Sequence, residues 1–118
     1  MSVSQFSDVV KARVMTRSGG FCEVRAAGCW DEGSQLHHRR ARGMGGSRDP
    51  RSGGAANALS VCLPCHAHAE SNRDEARDMG WLVRQGVDPA VVPVFRYRRW
   101  VLLDDNGGIT PVPSGVAS

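Results

Sequence analysis

The chain has 118 residues, 41% of them hydrophobic and only 6% aromatic, with a formal net charge of +3. That length allows one domain with a modest core. It excludes a membrane protein of the helical kind, since no apolar run approaches the ~20 residues that span a bilayer. Residues 1–8 carry neither a basic segment nor an apolar one, so they do not read as a secretory signal, and a cytoplasmic location is expected (the host cytoplasm if the chain is phage-encoded).

Residues 4–18 read as a helix. Ser4 or Ser7 suits the N-cap, Phe6, Val9, Val10, Arg13 and Val14 recur at helical spacing, and Gly19-Gly20 suits the end. Arg13 and Arg17 fall on neighbouring turns, facing solvent or a nucleic-acid backbone. Phe21 to Arg25 reads as a short strand, and Gln35 to His38 as a second, so a hairpin is expected over 21–38. Residues 39–56 are rich in glycine and arginine and lack periodicity, which marks a long loop; such loops in small domains tend to be functional. Asn57 to Val61 is brief and extended. Pro64 to Met79 is helical, with proline in the first turn and Gly80 at the end; Glu75 and Asp78 lie toward solvent. Trp81 to Val83 reads as a short strand, Asp88 to Pro93 as a turn, and Val94 to Leu103 as a strand anchored by Phe95, Tyr97 and Trp100. Asp105-Asn-Gly-Gly signals a hairpin turn, returning through Ile109. Residues 1–112 are thus expected to form a single domain, and 113–118 a frayed tail.

Chemistry-bearing residues concentrate between Leu36 and Glu70. All four histidines lie there: His37, His38, His66 and His68. Four cysteines in two clusters, in a chain with no secretory signal, read as a metal site before they read as disulfides. Cys62-x-x-Cys65 has zinc-knuckle spacing, and Cys22 and Cys29 complete a four-cysteine set despite their wider separation. Four thiolates with no open position would make a structural zinc site, and metal binding would then be part of folding. His66 replacing Cys29 as the fourth ligand is the alternative.

A second constellation is His37, His38, Asn57, His66 and Glu70. His66 and Glu70 are four apart on a helix, hence on one face. Imidazole and carboxylate with open positions suit a divalent ion that acts on phosphate, and a neutral imidazole with a pKa near 6.5 suits proton removal from water. Fourteen of the fifteen basic residues are arginine and Lys11 is the only lysine. Arg39, Arg40, Arg42, Arg48 and Arg51 face only Asp49 within 39–51. A basic stretch beside such histidines points to a phosphate-bearing partner, DNA. His68 falls on another helix face from His66, as a surface residue or a phosphate contact.

The order His37-His38, Asn57, Cys62-x-x-Cys65-His66 resembles the HNH endonuclease signature in its zinc-knuckle form. The likeness to phage-type members continues through His38-Arg-Arg-Ala-Arg-Gly-Met-Gly-Gly-Ser47, Gly80-Trp-Leu-Val83 and Asp88-Pro-x-x-Val-Pro93, over about residues 10–105. The resemblance implies an α+β fold of the ββα-metal (His-Me finger) kind with a structural zinc and a C-terminal β-hairpin. It implies that residues 1–112 form a single HNH nuclease domain that hydrolyses DNA phosphodiester bonds, nicking at least. It implies His37 and His66 as ligands of a catalytic ion (Mg2+, Mn2+, Ni2+ or Zn2+), His38 as general base, and Asn57 as the residue that orients the base-bearing loop or, as in some relatives, ligates the metal. Glu70 stands where relatives carry a second helical ligand. Phage members act with the terminase in DNA packaging, so terminase is an implied partner; a monomer or weak dimer is expected. The alternatives are a zinc-ribbon module that binds DNA without cutting it and a terminase-accessory protein that docks through residues 81–112.

Overall fold

Ser7 opens the first helix, α1 (Asp8–Ser18), its Oγ accepting from the Val10 amide at 3.2 Å. Gly19 closes the helix at φ +67°, in the left-handed conformation that a residue without Cβ takes freely. The structure is a computed structural model that describes residues 6–41 and 50–113. Helix α1 buries Val10 and Val14, whereas Val9, expected on the same face, is exposed. Arg17 corrects another expectation. It faces neither solvent nor a nucleic acid but lies with its side chain fully buried against Glu23.

Strand β1 (Gln35–His38) pairs antiparallel with β2 (Ala58–Val61), placing His37 opposite Leu59 and His38 opposite Ala58. The hairpin expected over 21–38 does not form. Phe21 makes an isolated bridge to Glu32, flanked by the Cys22 amide donating to the Asp31 carbonyl and the Gly33 amide to the Gly20 carbonyl, and the pairing stops there, the Glu23 amide donating instead to the Ser60 carbonyl. The buried Glu23 carboxylate accounts for the departure. It accepts from Arg17 at 2.8 and 2.7 Å, from the Ser60 amide at 2.9 Å, and from Arg96. A carboxylate removed from water needs these donors, and they lie on α1, β2 and a distant strand.

All four residues of β2 are buried. Ala58 joins Phe6, Val10, Val14 and Ala55 on the side of α1, and Leu59 and Val61 join the main core with Trp81, Val94, Val101 and Leu103. Burying a side chain such as Leu59 contributes roughly 1.5–3 kcal/mol.

The helix expected over 64–79 is two helices, α2 (Leu63–Ser71) and α3 (Arg73–Asp78). Asn72 separates them at φ −123°, ψ 64°, with its side-chain amide donating to the His68 carbonyl at 2.9 Å. Asparagine competes in this way with the helical ladder. Gly80 follows at φ +76°, where a Cβ would meet the Pro93 carbonyl oxygen at 2.0 Å. Trp81–Val83 is not a strand. The Trp81 and Leu82 amides both donate to the Ala76 carbonyl, and the Val83 amide donates to the Arg39 carbonyl.

Strands β3 (Val94–Arg96), β4 (Arg99–Leu103) and β5 (Ile109–Pro111) form an antiparallel meander. The single strand expected over 94–103 is therefore a hairpin, turning at Tyr97 (φ 49°) and Arg98 (φ 64°). Neither is the glycine or asparagine such a turn favours. Tertiary contacts hold it: the Tyr97 hydroxyl donates to the Ser18 carbonyl at 2.9 Å, and the Arg96 and Arg25 guanidinium groups stack on its ring at 4.2 and 5.0 Å. The Asp105-Asn-Gly-Gly turn joins β4 to β5, with Asp104 Oδ1 accepting from the Asn106 and Gly108 amides. Trp81 is in the core; Trp100 is half-buried against Phe95. The described residues thus make a small α+β domain with two small sheets, and the expected tail lies, from residue 114 on, outside them.

Candidate metal centres and cleft

Cys22, Cys29, Cys62 and Cys65 bring their sulfurs within 4.8 Å of one another. The Cys29 and Cys62 sulfurs are 3.8 Å apart, the edge expected of a sulfur tetrahedron around an ion with metal–sulfur bonds of about 2.3 Å. Cys62 precedes α2, Cys65 sits in its first turn, and Cys22 and Cys29 come from the chain after α1. The set therefore ties that segment to the β2–α2 corner rather than to a hairpin. Backbone amides point at sulfur, among them Trp30 at Cys62 (3.4 Å) and Asp31 at Cys29 (3.3 Å). Burial pushes the Cys65 and Cys29 thiols up. Burial also pushes on Cys62, but the Trp30 and Cys65 amides and the neighbouring thiols outweigh it and bring Cys62 down to about 7. The donor set fits a thiophilic dication such as zinc, whose charge offsets the repulsion among the thiolates. Cys29, not His66, is the fourth member.

The second group is His37, His66 and Glu70, whose ligand atoms also lie within 4.8 Å of one another. Strand β1 brings His37; α2 brings His66 and Glu70 on one face. His37 is 2% exposed. Its Nε2–H donates to the Trp81 carbonyl at 2.8 Å, which assigns the tautomer and leaves the Nδ1 lone pair facing Glu70 Oε2 at 3.8 Å. Burial is the main cause holding its pKa down at about 4, with the nearby His66 adding to it and the Trp81 carbonyl opposing. The ring is therefore neutral near pH 7, as a metal ligand must be. His66 Nδ1 bonds Gln35 Oε1 at 2.6 Å, so Nδ1 donates and Nε2 keeps its lone pair. The two rings meet edge to face at 5.1 Å. Glu70 is held from the other side by Arg73, which donates to Oε1 at 3.0 Å. Two imidazole nitrogens with fixed lone pairs and one carboxylate fit a divalent ion with open positions.

His38 ends β1 and stacks on Phe6, with ring centroids 4.1 Å apart and planes 19° from parallel. His37 packs toward α2 and His38 toward Phe6, as strand alternation requires, yet both border one open cleft with Gln35, His66 and Glu70. Asn57 is fully buried behind them. Its Oδ1 accepts from the Arg40 amide at 2.7 Å and its Nδ2 donates to the Arg40 carbonyl at 3.1 Å. His68 is half-buried, bonding Glu75 at 3.0 Å and lying 6.3 Å from the Trp81 ring.

Arg39 and Arg40 do not stand where the sequence suggested. Arg39 is 0% and Arg40 1% exposed. The Arg39 guanidinium donates to the carbonyls of Gly80, Ala56, Pro89 and Val92 at 2.8–3.0 Å, and Arg40 Nη1 donates to the Val87 carbonyl at 2.8 Å. Groups so enclosed cannot reach phosphate; they knit the chain after β1 to the segment between α3 and β3. Arg51 is partly exposed, 3.9 Å from Asp88. Arg42 and Arg48 lie outside the described residues. The positioning roles of Gln35, Trp81 and Phe6 had no signal in the spacing, because each acts through a long-range contact or a backbone atom; Arg73, three residues after Glu70, did carry a helical-spacing signal.

No protein-family model, curated protein or solved structure matches this chain. Among the described residues, no helix is long and apolar enough to cross a membrane.

Proposed function

We propose that this chain is a metal-dependent endonuclease of the HNH type that hydrolyses DNA phosphodiester bonds, with β1, β2 and α2 as its ββα-metal unit and the four cysteines as its structural zinc site. One observation carries the reading. His37, His66 and Glu70 converge within 4.8 Å beside His38, in a cleft open to solvent, with the His37 tautomer assigned by the Trp81 carbonyl. A non-catalytic zinc module would account for the cysteines but not for this convergence.

His38 takes the proton from the attacking water, and its stack on Phe6 holds the ring for that task. Asn57, through both polar groups of Arg40, holds the backbone that leaves β1 just after His38. A divalent ion bound by His37, His66 and Glu70 would polarise the phosphate and neutralise the leaving 3′-oxygen. One such site acts on one strand, so nicking is the minimum activity. The sequence resemblance adds a setting, phage DNA packaging with the terminase as partner.

The test is cleavage of supercoiled plasmid with Mg2+, Mn2+, Ni2+ or EDTA, comparing wild type with His38→Ala, both assayed for zinc and fold. Ion-dependent nicking that the variant loses supports the reading. Well-folded wild-type protein inert with every ion overturns it.

A further inference from the structure

We propose that Lys11 binds a non-scissile phosphate of the DNA backbone, so that one wall of the cleft grips the strand that the opposite wall cuts. The inference rests on the nuclease reading for the identity of the strand. The two arginines nearest the histidines, Arg39 and Arg40, are sealed in the core, so these two do not serve the cleft as their sequence position suggests.

The cleft has three sides. Gln35 to His38 of β1 form its floor, and His66 and Glu70 of α2 form one wall. Helix α1 forms the other, presenting Lys11 and Met15 one turn apart while Val10 and Val14 go into the core. Lys11 is the only lysine or arginine among the described residues that line this space. Its side chain is 46% exposed, and its carboxylate neighbour, Asp8, is 4.0 Å away and fully exposed. A pair of that kind is weak and yields easily to a phosphate. The ammonium is a compact charge on a flexible stem, suited to a phosphate whose position varies with the sequence bound. Met15, 49% exposed, adds an apolar surface for the sugar between the two phosphates. Opposite, the Glu70 carboxylate is already paired with Arg73 at 3.0 Å, so among the described lining residues Lys11 is the positive charge that faces the backbone.

The experiment is fluorescence anisotropy of a labelled duplex oligonucleotide over a salt series, with no ion added beyond the structural zinc, on wild type, Lys11→Ala and Lys11→Arg. The alanine variant should bind about fivefold more weakly at low salt, whatever the sequence, and its plot of log K against log salt should be shallower by about 0.9, one phosphate contact. Arginine should restore both. An alanine variant with the wild-type Kd and slope, or a wild-type protein that does not bind DNA, overturns the proposal. Plasmid nicking by the wild type reads the parent reading separately. Lys11-dependent binding by a protein that never nicks would leave Lys11 in place and remove the nuclease.

Discussion

The side-chain amide of Asn57 and the backbone of Arg40 close a two-bond ring: Oδ1 accepts from the Arg40 amide at 2.7 Å, and Nδ2 donates to the Arg40 carbonyl at 3.1 Å. The Arg39 amide adds a bond to the Asn57 carbonyl at 2.8 Å. The chain leaving β1 is thus gripped immediately after His38, at a fully buried point where water cannot replace a lost partner. Asn57→Ala should cost about 1–3 kcal/mol in urea unfolding, the desolvation penalty of an unpaired buried amide and carbonyl. If His38 is the base, nicking should fall by up to about a hundredfold, since small displacements of a catalytic group cost that much. Asn57→Asp keeps the acceptor but sets a buried carboxylate oxygen against the Arg40 carbonyl, and should destabilise the fold at least as much as alanine. Wild-type nicking by a folded Asn57→Ala protein would remove Asn57 from the mechanism.

The cysteine cluster predicts that chelation unfolds the domain. Structural zinc in small sites contributes roughly 10–16 kcal/mol of apparent binding free energy, as much as or more than the ~5–15 kcal/mol by which domains are stable. A strong chelator should abolish the cooperative thermal transition in circular dichroism, and zinc added back should restore it. Cys29→Ser should lose zinc stoichiometry as Cys22→Ser does, because its sulfur lies 3.8 Å from that of Cys62. Full zinc retention by Cys29→Ser would show that three thiolates suffice.

His37 sets an acid limit. Its folded pKa of about 4 lies below the unfolded value of 6.5, burial being the main cause. Between those values the unfolded chain binds the proton that the folded chain refuses. The contribution to stability is therefore full above pH 6.5 and is lost as pH falls toward 4, to a total of about 3 kcal/mol. Urea unfolding of zinc-loaded protein, with no second ion, should show wild type losing stability over this range faster than His37→Gln. Parallel pH profiles for the two proteins would contradict it.

Arg39 should behave as a core residue. Its guanidinium satisfies four backbone carbonyls from three segments, a fork that an ammonium cannot reproduce. Arg39→Ala, and to a lesser degree Arg39→Lys, should destabilise the fold by about 3–5 kcal/mol. A folded Arg39→Lys protein should keep the wild-type salt slope for DNA. A variant with native stability and a shallower slope would return Arg39 to the DNA surface.

The features legible in the sequence share one property: they depend on residues close together along the chain. Ser7 and Gly19 bound α1 because capping is a matter of adjacent backbone groups. Cys62 and Cys65 share the start of α2, and His66 and Glu70 share one face of it, because helical geometry sets both spacings. The hairpin turn after Asp104 follows from Gly107 taking φ +88° freely and from the Asp104 side chain bonding the Asn106 and Gly108 amides. The candidate metal-ligating residue types, and the spacings that bring them together on α2, were determined at this level.

Only the tertiary structure decided which distant groups meet. It set β1 against β2 rather than against Phe21, because the Glu23 carboxylate collects donors from Arg17, Ser60 and Arg96 and draws its segment away. It turned the chain at Tyr97-Arg98, where a hydroxyl and two guanidinium groups outweigh local preference. It buried Arg39 and Arg40, which composition alone placed on the surface, and left Lys11 facing the cleft. A charge is exposed or buried according to whether the fold supplies partners enough to replace water, and those partners lie 17 to 53 positions away for Arg39 and Arg40.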